Sequence, residues 1–80
     1  MPEDDIKVGD VLELIDPGSY VFFRGVKYVC VISITSRDFI VVADNAGVRI
    51  GGVEGFYRSR FIRVDPLVAA LFHAQASSRL

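Results

Sequence analysis

Residue types that carry chemistry are scarce in this chain of 80 residues, which has one cysteine, one histidine and one methionine. With Cys30 alone, no disulfide can close within the chain and no cysteine-rich metal site can form. The thiol alternates with apolar strand residues, so it reads as buried and inert, because a reactive thiol needs exposure and nearby positive charge. His73, next to Phe72, reads as a helix-surface residue in preference to a general base. Gly51, Gly52 and Gly55 belong to no GxxxxGK[ST] phosphate loop. Asp4, Asp5 and Asp10 do not continue into calcium-loop spacing, so they read as a solvated acidic end. No catalytic constellation is present, and neither an enzyme, a metal nor a cofactor is expected. Long apolar runs are also missing. No stretch could span a bilayer and none resembles a signal peptide, so the expectation is a soluble, cytoplasmic protein with no membrane partner.

Neither sign of charge dominates, and the formal net charge is −1. The distribution is uneven. Residues 1–16 carry Glu3, Asp4, Asp5, Asp10, Glu13 and Asp16 against Lys7, a net −5, and residues 17–80 carry eight bases against Asp38, Asp44, Glu54 and Asp65, a net +4. Such a split can create a local field, or it can be cancelled if the acidic end folds beside the arginines. Cancellation is the preferred reading, because nucleic-acid modules usually carry a basic excess. Lysine is scarce, with only Lys7 and Lys27.

Apolar residues are plentiful at 51%. A domain this small has a limited interior, so part of that surface is expected at an interface. Val11–Ile15 predicts a short strand with Leu12 and Leu14 inward and Glu13 outward. Asp16-Pro17-Gly18-Ser19 breaks it. Val26–Thr35 predicts the longest strand, with Val26, Tyr28, Cys30, Ile32 and Ile34 on the inner face and Lys27, Val29, Val31, Ser33 and Thr35 on the outer. Phe39–Ala43 predicts a third strand. Asp44-Asn45-Ala46-Gly47 is a hairpin turn by composition, Val48–Ile50 its short return, and Phe61–Val64 the last strand. Asp65-Pro66 is a paired helix start, with aspartate at the N-cap and proline at the first helical position. Leu67, Val68, Leu71 and Phe72 form one stripe at helical spacing, and Arg79 sits near the helix end.

Two stretches carry a resemblance. Ile6-Lys7-Val8-Gly9-Asp10-Val11, followed after a loop by Gly25-Val26-Lys27-Tyr28-Val29-Cys30-Val31, resembles the opening of small SH3-like and KOW-like domains. Gly55-Phe56-Tyr57-Arg58-Ser59-Arg60-Phe61-Ile62-Arg63-Val64 is similar to their ending, where one helical turn leads into the closing strand. Short chains ending this way are common among phage and prophage proteins, and this one resembles them. The resemblance covers 6–64 and implies a mainly β chain, a five-stranded SH3-like barrel; residues 1–5, polar and with Pro2, read as a flexible N-terminus. A C-terminal α-helix at 65–78 would pack on the barrel or on a dimer partner. It further implies Phe56 and Phe61 pointing inward, with Tyr57, Arg58, Arg60 and Arg63 nearer the surface.

Fold does not fix function, and two candidate surfaces follow. In SH3-like domains the loop after the first strand and the turn before the last can line one groove. That nominates Tyr20, Phe23, Arg24, Tyr57 and Arg58 for a protein partner such as a host factor, although Val21, Phe22 or Phe23 could instead fold back to plug the barrel. The stripe Leu67, Val68, Leu71 and Phe72 is either a lid on the barrel or a homodimer contact. A KOW-like alternative would bind nucleic acid through Arg24, Arg49, Arg58, Arg60 and Arg63, with Tyr57 stacking on a base.

Overall fold

The computed structural model of the chain describes residues 6–18, 23, 25–52 and 54–77. Alternation places apolar side chains on one side of each short segment, and pairing then matches them across strands. The elements are β1 (Val11–Leu14), β2 (Tyr28–Ile34), β3 (Phe39–Ala43), β4 (Arg49–Ile50), β5 (Phe56–Tyr57), β6 (Phe61–Arg63) and α1 (Pro66–Ser77), with a 3-10 turn at Arg58–Arg60 between β5 and β6. All pairings are antiparallel. The order is β4-β3-β2-β1-β6, with β5 also on β3. The chain is therefore mainly β with one short C-terminal helix. Among the described residues six strand segments replace the five expected, and they form a sheet that is not closed into a barrel.

Register builds the core. Leu12 lies opposite Val29, Val31 opposite Val42, Val42 opposite Ile50, Ile40 opposite Phe56 and Leu14 opposite Phe61. Leu14 is half-buried, and the other members of these pairs are buried in one cluster. Burying each such side chain contributes about 1.5–3 kcal/mol. Phe23 completes the cluster, with its ring 4.6 Å from Phe56 and 6.1 Å from Phe61. Phe56 and Phe61 thus point inward as expected.

The faces of β2 are the reverse of the sequence reading. Val29 and Val31 point into the core, whereas Ile32 and Ile34 are exposed and Tyr28 and Cys30 are half-buried. Both faces of this strand are apolar, so alternation alone could not choose between them. The cross-strand partners decide it. The strand also begins at Tyr28, not Val26. A β-bulge after Val31 shifts the register, so that Ser33, not Ile32, faces Val41.

The opposite face of the sheet carries the row Val11–Cys30–Ala43, joined by register. Val11 and Ala43 are buried outside the core cluster, and α1 packs against β1. Gln75 Oε1 accepts a 2.9 Å hydrogen bond from Asn45 Nδ2, which ties the helix to the β3–β4 turn. The helix therefore lies across this second face, with Phe72 only 7% exposed. Its stripe is split: Phe72 is buried and Val68 half-buried within the chain, while Leu67 and Leu71 face solvent. Phe72 is accordingly buried within the chain's own fold. The Asp65 carbonyl accepts from Ala69 N–H at 3.1 Å, as a residue at the N-cap should.

The β3–β4 hairpin closes on Asp44, whose Oδ1 accepts from the backbone N–H of Ala46 (2.9 Å) and Val48 (3.0 Å). No helix among the described residues is long and apolar enough to cross a membrane.

Candidate functional site

The segment Glu54–Arg63 is shared between structure and surface, and each residue's position decides which. Gly55 has φ +82°, and a Cβ there would run into the Ile40 carbonyl. Only glycine lets the chain lie this close on β3. The Thr35 hydroxyl, 3.1 Å from the Glu54 carbonyl, holds the same approach from the β2–β3 turn. Phe56 then enters the core opposite Ile40, and Tyr57 falls opposite Phe39 on the other side.

Tyr57 is 53% exposed, and its ring lies 4.4 Å from that of Phe39, tilted at 45°. Arg58 N–H donates to the Asp38 carbonyl at 2.8 Å, so the strand-to-turn junction is fixed on both sides of the tyrosine. The result is an aromatic-backed corner with its backbone bonded on both sides. Arg37 and Asp38 are exposed on the adjoining turn, and Arg58 is half-buried beside it. The corner thus offers a large ring with a phenolic tip, plus charges of both signs.

Arg60 has a different job. Its Nη1 donates to the Asp16 carbonyl at 3.0 Å and lies 3.6 Å from the Asp16 carboxylate. The Arg60 carbonyl accepts from Ile15 N–H at 2.8 Å and Asp16 N–H at 3.2 Å. This clasp closes the end of β1 on the 3-10 turn, and it brings one of the N-terminal acids beside an arginine. Gly18, at φ +61°, leaves room for the guanidinium, since a Cβ there would come within 2.7 Å of Nη1.

Among the described residues, Arg49 and Arg63 do not gather with Arg60. Arg63 is exposed on β6 opposite Leu12, and Arg49 is exposed on β4 opposite Ala43. These two strands stand at opposite ends of the β4-β3-β2-β1-β6 path. Arg24 and Tyr20 lie outside the described residues, as does Arg79. Phe23, a candidate for the binding loop, is 2% exposed and belongs to the core. One aromatic of the loop thus lies in the core cluster.

Sequence reasoning missed Phe39 and Asp38. Their link to Tyr57 and Arg58 is a strand pairing between distant segments, and no local pattern signals it. Cys30 is half-buried, not fully buried, and desolvation followed by the nearby Asp10 carboxylate pushes its thiol pKa up. His73 is exposed, its ring edge-on to Phe72 at 5.8 Å. Among the described residues, no three His, Cys, Asp or Glu side chains are grouped to hold a metal ion. Comparison with known proteins finds no matching family model, curated protein or solved structure.

Proposed function

We propose that this chain is a non-enzymatic interaction protein that binds a protein partner through the Phe39–Tyr57–Arg58 corner. Tyr20 and Arg24, which lie outside the described residues, are nominated by the sequence resemblance alone. The observation that carries the reading is an exposed tyrosine whose backbone is bonded on both sides and whose ring is backed by a second aromatic. An anchor fixed in this way loses little conformational entropy on binding, and tyrosine and arginine dominate protein-interface hot spots. The flanking Arg37 and Asp38 suit a polar rim.

An SH3-like plan for the chain is part of the proposal. The long connection after β1 and the 3-10 turn leading into the last strand support it. The further reading as a phage or prophage accessory protein, acting on a host factor in the bacterial cytoplasm, rests on the sequence resemblance. Nucleic-acid binding is the weaker reading, because Arg60 is engaged with Asp16 and Arg49 and Arg63 stand far apart in strand order.

The test is affinity capture from a bacterial lysate with wild type, Tyr57→Ala and the Tyr57→Ala/Arg58→Ala pair, folding being checked by circular dichroism. A captured protein should bind the folded Tyr57→Ala variant roughly thirtyfold more weakly, about 2 kcal/mol. Undiminished capture by both folded variants removes the site. A parallel titration with mixed-sequence RNA and single-stranded DNA at two salt concentrations tests the rival. Tight binding that falls with salt would favour phosphate contacts.

A further inference from the structure

We draw no further inference here: the strongest candidate, the apolar outer face of α1 around the exposed Leu67 and Leu71, carries nothing, because nothing in the structure shows what covers it.

Discussion

On one face of the sheet Leu12, Val29, Val31 and Val42 are sealed by strand-to-strand matching and by Phe23, Phe56 and Phe61. On the other, Val11, Cys30 and Ala43 are covered by a single helix held by Phe72 and one Asn45–Gln75 hydrogen bond. The first face uses large side chains from many segments. The second uses small ones that let a helix sit close, and it ends with exposed leucines and a half-buried thiol. Burial on the first face is cooperative among strands distant in sequence. On the second it depends on one local element.

The largest expected effect separates the two faces directly. Phe61→Ala should cost about 3–5 kcal/mol, since it opens a cavity inside a closed aromatic cluster. Phe72→Ala should cost about 1.5–3 kcal/mol, close to the transfer value of one ring, because the helix can resettle over the gap. Urea denaturation of both variants checks this. Equal losses would mean that the helix is as integral to the core as β6.

A second, smaller effect probes how the inner face is closed. Gly55→Ala forces a positive φ on a residue with a Cβ and drives that Cβ at the Ile40 carbonyl. The backbone strain alone is about 1–3 kcal/mol. Relief requires β5 to lift from β3, which withdraws Phe56 and detaches Tyr57 from Phe39. Amide exchange should therefore quicken across the β3–β5 pairing while the helix keeps its protection. Faster exchange in α1 of equal size would show that the two faces are coupled.

How legible each face was from sequence follows from the same contrast. The turns and the helix start were readable, because Asp44, Gly47 and Asp65-Pro66 act through their own backbones. Leu12 and Leu14 were readable because Glu13 marks the outward side between them. In β2 no charged residue marks a side beyond Lys27, and the bulge after Val31 changes the phase, so the faces were read in reverse. The helix stripe is split for a related reason. With apolar residues all round, Leu67 and Leu71 look as core-like as Val68 and Phe72, and only docking onto Val11 and Ala43 separates them. At the candidate site Tyr57 and Arg58 were nominated from the turn, but Phe39 and Asp38 enter through pairing between distant strands.

The smallest predicted effect uses Cys30 as a reporter on the helix-covered face. Burial and then the Asp10 carboxylate raise its pKa in the folded chain, so folding favours the neutral thiol. Below the ordinary thiol value both states are protonated and this stability contribution is fully present. As pH climbs from the ordinary value toward the folded one, the unfolded chain ionises first, and the contribution is progressively lost. Near pH 8 the folded thiol should therefore alkylate with iodoacetamide severalfold more slowly than the urea-unfolded chain. Phe72→Ala should recover part of that rate, because loosening the helix rehydrates the row Val11–Cys30–Ala43 while leaving Asp10 in place. If Phe72→Ala reacts no faster than wild type, the thiol is shielded by the sheet and not by the helix, and the second face is less dependent on α1 than its packing indicates.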